Sequence, residues 1–373
     1  MRTVAGALIM AMMAGPMAAP RTDADGELKR LVTQEIQELL PANDAGGVAV
    51  AIRIAGHTSF FNYGFADLAG RRPVTSDSLF NLASLRKVFE TTLLAQAVRR
   101  GELELDDRVA KFVTELAQGG DIRRVTLGQL ATHTSGLLLP QDHPPWPKEH
   151  YTLPEFIRTL NAWHADEDQA PGGQHMYTHA GFVLLQLALE RRFGKPIGEL
   201  IEKRVVQPLG MSSTKLPLRR PDGRAALAPA LMSRAVQGYY EDGTPIGEPG
   251  DQQGYYDFPG TGQMYSSARD LAIFLAANLG ELPGERSLTA AMRFAQRGVF
   301  AISLHNTQAL AWEINDNAET SILEKNGGLD NSSTYIGMMP SRKLGIVILA
   351  NRGDQAPAEV GRRILLSLAK RNT

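Results

Sequence analysis

Apolar residues recur along the first part of the chain at helical spacing. Between Glu27 and Leu40, the residues Leu28, Leu31, Val32, Ile36, Leu39 and Leu40 fall on one stripe, which predicts an amphipathic helix. The pattern then changes. Val48 to Ile54 and His57 to Tyr63 are strand-like runs separated by Ala55-Gly56, which predicts a β-hairpin. Val88 to Val98 returns to helical spacing and stops at Gly101. From there to about residue 230 the chain reads as helix-rich, with turn punctuation at Pro140 to Pro147, Pro171-Gly172-Gly173 and Pro217 to Asp222. Gly, Pro, Tyr and Asp crowd residues 237–262 and predict a long surface loop. A helix is predicted over Ser266 to Asn278, with Leu271, Phe274 and Leu275 apolar. Strands are predicted at Gln308 to Ile314, Thr334 to Met339 and Leu344 to Leu349, followed by a last helix at Ala358 to Lys370. There are no repeats. Strands at both ends with helices between point to an α+β fold of two lobes rather than two consecutive domains.

Composition narrows the function classes. The 39 basic and 40 acidic residues nearly cancel, so there is no electrostatic case for nucleic acid or an acidic membrane surface. Cysteine is absent, which excludes disulfides, thiolate metal sites and a cysteine nucleophile together. Arg2 followed by the apolar stretch Ala5 to Met13 reads as an export signal, too short to span a bilayer, with Ala18 and Ala19 offering a cleavage site. The expectation is a signal peptide at 1–19, a single catalytic domain over 20–373, no membrane anchor, a periplasmic location and a monomer.

The candidate chemistry begins at Ser84-Leu85-Arg86-Lys87. Positions i and i+3 share one helix face, so Lys87 can reach the Ser84 hydroxyl, and a desolvated lysine can take the proton that makes serine a nucleophile. Alone, such a string recurs by chance. Downstream, in order, come Leu130-Ala131-Thr132-His133-Thr134, then Tyr177-Thr178-His179, then Lys325-Asn326-Gly327-Gly328. This ordered set resembles the serine β-lactamase / penicillin-binding-protein superfamily, class C β-lactamase-like branch. Arg100 to Asp107, Gln207-Pro208-Leu209-Gly210-Met211 and Leu344 to Asn351 also look like segments of that family, so the similarity runs from about residue 30 to the end.

The resemblance implies an antiparallel sheet flanked by helices (about 22–80 and 300–373) plus a mostly helical lobe (about 81–299), with the active-site groove between them. It implies Ser84 as nucleophile, Lys87 and Tyr177 as the groups that handle its proton, and Lys325 as the residue that orients a substrate carboxylate and biases Tyr177. Whether Lys87 or Tyr177 is the acylation base stays open in the sequence. Gly327 and Gly328 would let the substrate backbone approach a strand edge, with the N–H groups of Gly328 and Ser84 holding the oxyanion. Gln141 falls where the family has a glutamine that contacts the substrate amide. Two positions depart from the pattern: His179 replaces asparagine and Asn326 replaces threonine. A neutral imidazole cannot donate and accept as an amide does, and a protonated one would repel Lys87.

His175 and His179 stand at i, i+4, a common zinc-ligand spacing on a helix, and Asp330 would add an oxygen. Against zinc, a helix that starts at Thr178 or His179 leaves His175 in the preceding loop. The family requires no cofactor. His133 is explained by packing within its motif, and His143, His150 and His164 take no role. Tyr239, Tyr240, Tyr255, Tyr256 and Phe258 either line the groove or pack within the loop. The expected substrate is a β-lactam or a peptidoglycan-like small molecule, opened through an acyl-serine. The alternatives are a D-amino-acid peptidase or carboxylesterase of the same superfamily, and a non-catalytic binding module.

Overall fold

The computed structural model describes residues 21–138, 152–219, 225–250, 262–282, 286–317 and 320–371. The expected signal segment, Gln141, His143, His150, Tyr255, Tyr256 and Phe258 lie outside the described residues. The chain begins with α1 (Arg21–Ile36) and the hairpin β1 (Gly47–Ile54) and β2 (His57–Asp67), edged by β3 (Arg72–Pro73). Next, β4 (Phe80–Ala83) runs into α2 (Arg86–Arg99). Helices α3 (Leu127–Ala131), α4 (Leu153–Ala162), α5 (His179–Phe193), α6 (Ile197–Ile201) and α7 (Pro229–Met232) follow. Two short ladders accompany them, β5 (Leu218–Arg219) with β6 (Ala225–Ala226) and β7 (Gly238–Tyr239) with β8 (Pro245–Ile246). After β9 (Gly262–Ser266), which pairs back on β4, come α8 (Ala268–Asn278) and α9 (Arg286–Ala295). The chain closes with β10 (Phe300–Ala301), β11 (Asn306–Gln308), β12 (Glu313–Asn317), β13 (Thr320–Leu329), β14 (Ser332–Met339), β15 (Leu344–Ala350) and α10 (Pro357–Arg371).

The main sheet has nine strands in the order β10-β11-β12-β13-β14-β15-β1-β2-β3, and every pairing is antiparallel. Its middle joins the two ends of the chain, with Val48 opposite Ala350 and Ile54 opposite Leu344. Strand periodicity sorts the side chains between two cores. Val48, Val50 and Ile52 of β1 pack with Val360, Ile364 and Leu365 of α10 and with α1. Ala49 and Ala51 face the other way, into the larger core that α2, α5 and α8 fill. There, the Phe89 and Phe274 rings stack at 4.1 Å, which ties α2 to α8. The fold is thus α+β, with helices on both faces of an antiparallel sheet.

Four sequence expectations change. The first helix starts at Arg21 and its α-helical part ends at Ile36; Gln37 to Leu39 form one tightened turn. Pro41 forces this, because the residue before proline avoids the α region and Leu40 is extended at φ −93°, ψ 124°. The single strand predicted over Gln308 to Ile314 is instead the end of β11, a tight turn and the start of β12. Ala311 sits at φ +61°, and the Gln308 side chain donates to the carbonyls of Ala309 and Trp312, both at 2.9 Å. The apolar run therefore plugs a turn into the core rather than lining a strand. Helix α9 was not anticipated, because its buried stripe of Leu288, Ala291, Met292 and Ala295 is rich in small residues. Finally, the expected loop at 237–262 contains the ladder β7–β8.

Candidate active site

Ser84 sits where β4 gives way to α2. Ala83 adopts φ +49°, a costly conformation for a residue with a Cβ, and Asn81 Oδ1 supports it by accepting from the Ala83 N–H at 3.1 Å. The sharp bend lifts Ser84 out of the strand, while Lys87, the second residue of α2, is 1 % exposed. Lys87 Nζ donates to Ser84 Oγ at 3.1 Å, as the i, i+3 spacing predicts. The hydroxyl oxygens of Ser84 and Tyr177 are 2.6 Å apart.

Tyr177 precedes α5, whose N-cap Thr178 accepts from the Gly181 N–H through its side chain. His133 holds this segment from below. Its carbonyl accepts from the Met176 N–H at 2.7 Å, its Nδ1 accepts from the Thr178 N–H at 3.4 Å, and its ring lies 4.3 Å from that of Tyr177. The packing role expected for His133 is thus seen in detail: it brackets Tyr177 on both sides. Burial, reinforced by Lys325 and Lys87, keeps its imidazole neutral, well below the ordinary histidine range.

The ammonium groups of Lys87 and Lys325 lie 5.0 and 5.1 Å from the centre of the Tyr177 ring. Burial pushes the phenol up, but the two lysines outweigh it and the net direction is down from 10.0. Burial also lowers Lys87, against the pull of Tyr177. Lys325 goes the other way. Burial lowers it, yet Glu313 overrides that and the ammonium is held above its ordinary value. The Lys325 Nζ to Glu313 Oε1 distance is 2.7 Å. Sequence reasoning missed Glu313, because it was read inside one continuous strand; the only signal was its place just past an apolar run.

Strand β13 supplies the opposite wall. β12 pairs with it only as far as Glu324, which faces Glu313, so Lys325 to Leu329 have β14 on one side and, among the described residues, no strand on the other. This edge lies beside Ser84. A Cβ at Gly327 would fall 2.7 Å from the Leu82 carbonyl and 2.8 Å from the Ser84 nitrogen, so only glycine fits there. Gly328, by contrast, opens onto free space. A cavity of about 320 Å³ is lined by Ser84, Tyr177, His179, Glu313, Lys325, Asn326, Gly327 and Gly328. It thus collects the sequence-predicted residues within the described chain, with Lys87 behind Ser84.

His179 is the first residue of α5, and its ring meets Tyr177 edge-on at 5.6 Å. Burial and the nearby Lys87 lower its imidazole to about 3, so it is neutral at physiological pH. His175 lies in the preceding loop, where its Nε2 is 2.9 Å from Gln308 Oε1. Helical i, i+4 geometry is therefore absent, and among the described residues no group of three His, Asp or Glu side chains is placed to hold a metal. A second cavity of about 450 Å³ shares His179 and Gly328 with the first and is lined further by Tyr239, Tyr240, Glu241, Asp330 and Asp354. Among the described residues, no helix is long and apolar enough to cross a membrane.

A serine and lysine one helical turn apart, a tyrosine over the serine and a lysine on an open strand edge, set on this α+β frame, define the class: serine β-lactamases and penicillin-binding proteins, class C branch. The β-lactamase family profile matches residues 29–370, and the chain belongs to that family. It is 27% identical to a β-lactamase of Escherichia coli (strain K12) over 394 residues, covering 96% of this chain and 97% of that one. A class C β-lactamase structure superposes with a TM-score of 0.80 at 26% identity, covering 92% of this chain and 97% of the other. A β-lactamase/D-alanine carboxypeptidase from Pseudomonas syringae gives 0.80 at 25% identity, covering 91% and 99%.

Proposed function

We propose that the protein is an exported hydrolase that opens β-lactams through an acyl-Ser84 intermediate. The observation that carries this reading is the double contact of Ser84 Oγ, 3.1 Å from Lys87 Nζ and 2.6 Å from the Tyr177 hydroxyl oxygen. An ammonium only donates, so the Ser84 hydroxyl hydrogen is directed to Tyr177. Tyr177, biased toward phenolate by two lysines, takes that proton as Ser84 Oγ attacks the lactam carbonyl. The N–H groups of Ser84 and Gly328 receive the oxyanion, and the proton on Tyr177 passes to the departing lactam nitrogen. Tyr177 then activates the water that releases the product and frees Ser84. His179, neutral, offers one donor or one acceptor to the substrate amide, where the family has both. The Arg2 and Ala5 to Met13 pattern supports export to the periplasm.

Ser84→Ala tests the nucleophile. Incubated with a slow β-lactam, the parent should gain the mass of the opened drug in an intact-protein spectrum and the variant should gain none. An adduct on the alanine variant would sink the assignment.

A second reading has its own support. Glu313 already occupies Lys325, and the adjoining cavity carries the acidic side chains Glu241 and Asp330. Both features favour neutral or amine-bearing substrates over carboxylates, as an esterase or D-amino-acid peptidase would use. Nitrocefin, p-nitrophenyl acetate and a D-Ala-D-Ala peptide blocked as its C-terminal amide, run side by side, separate the two readings. Hydrolysis of the ester or peptide with nitrocefin untouched would replace the first by the second.

A further inference from the structure

We propose a second ligand site, for a small molecule bearing at least two phosphate groups, in the cavity between the C-terminal end of α2 and helix α9. The cavity measures about 820 Å³, and Arg99, Arg286, Arg293 and Arg297 converge on it, with Thr289 and Leu282 between them. Arg286 and Arg293 stand two helical turns apart on one face of α9, opposite the buried stripe that anchors the helix to the core. The Arg297 guanidinium lies over the Phe294 ring at 5.7 Å. The Arg293 guanidinium reaches the turn at Gly280, with Nη2 2.9 Å from the place a Cβ there would take.

Several arginines of this chain are neutralised by carboxylates: Arg53 pairs with Glu281, Arg204 with Glu102, Arg352 with Asp354 and Arg362 with Glu324. Among the described residues, none of the four cavity arginines has such a pair. Four like charges around one hollow repel each other in a protein whose net charge is only −1, and a bound polyanion relieves that repulsion. The guanidinium fork matches phosphate oxygens two at a time, which favours phosphate as the anionic group. The concave shape and ligand-sized volume favour a small molecule over a flat membrane or a duplex. The 14 residues of α2 place this cavity about 20 Å along the helix from Ser84, and none of its lining residues lines the groove.

The test is calorimetric titration of the full chain, in low-salt buffer free of phosphate, with tripolyphosphate, orthophosphate and citrate as probes. Tripolyphosphate should bind one per chain, about tenfold or more tighter than orthophosphate or citrate, and weaken as salt is added. The double variant Arg286→Gln/Arg293→Gln should lose about tenfold or more of that affinity while circular dichroism and hydrolysis at Ser84 stay unchanged. Equal affinity in the double variant, or no tripolyphosphate binding to the parent, overturns the proposal. Citrate binding as tightly as tripolyphosphate overturns the assignment to phosphate. Binding only to phosphatidylglycerol vesicles overturns the small-molecule assignment in favour of a membrane surface.

Discussion

Glu313→Gln separates the charge of the Glu313–Lys325 pair from its shape. The amide keeps a hydrogen-bond acceptor 2.7 Å from Lys325 Nζ but removes the negative charge that masks the ammonium. At 5.1 Å from the Tyr177 ring, an unmasked Lys325 attracts a phenolate by about 3 kcal/mol at an effective dielectric near 20. Glu313 cancels part of that in the parent, so the substitution should lower the phenol further. A lower Tyr177 pKa keeps the phenolate populated at lower pH, so the acid limb of the kcat/KM profile should move to lower pH. The freed ammonium should also accept a substrate carboxylate. KM for nitrocefin should fall about tenfold, or 1.4 kcal/mol, while KM for p-nitrophenyl acetate stays put. The Glu313 side chain is 37 % exposed, so water screens the pair and the stability loss should be about 1 kcal/mol or less. An unmoved acid limb, with equal KM changes on both substrates, would refute the idea that Glu313 holds the Lys325 charge in check.

Other residues of the site and its supporting helix give independent tests. Tyr177→Phe should lower kcat about a hundredfold or more while nitrocefin KM changes little, since only a proton acceptor is lost; stopped-flow acylation rates close to the parent would contradict this. His179→Asn should leave the acid limb where it is, because an imidazole lowered to about 3 does not titrate near neutrality, and EDTA should have no effect on the parent; loss of activity in chelator, restored by Zn²⁺, would reverse that conclusion. Glu90, buried within α2, is raised from 4.5 to about 7, chiefly by burial and against the pull of Arg86 and Lys87. The folded state thus holds its proton longer than the unfolded chain. Stability should be greatest below pH 4.5 for this group and decline by about 3 kcal/mol as pH rises through 7. Glu90→Gln should flatten that slope in urea titrations at pH 5 and pH 8, and an unchanged slope would assign the dependence to another group.

The parts of the site legible in the sequence are those fixed by local spacing. Lys87 reaches Ser84 because one helical turn brings them together, and Thr178 reads as a helix start because its side chain caps α5. The parts that were not legible depend on register and on turn geometry. Nothing in Trp312-Glu313 announces that Ala311 will adopt φ +61° and swing the carboxylate onto Lys325. Nor does the sequence show that β12 stops pairing at Glu324 and leaves the edge of β13 bare, since that follows from where two strands happen to align. His133 was placed by its motif, but its grip on Met176 and Thr178 needs the positive φ of +55° that only the folded chain reveals.

The pairing of Val48 with Ala350 has a consequence for how the enzyme comes into being. Closing a loop of about 300 residues costs on the order of 5 kcal/mol in chain entropy, and no contact in the middle of the sheet repays it until β15 exists. The Ser84 helix can form early, since its contacts are local, but Lys325, Gly327 and the strand that supports them are made last. A nascent chain therefore carries an unarmed serine for most of its synthesis. Chains cut short before Leu344 should keep helix and lose the sheet's centre, so that Lys325, Asn326, Gly327 and Gly328 are present but no longer joined through β15 to the strands of the other chain end.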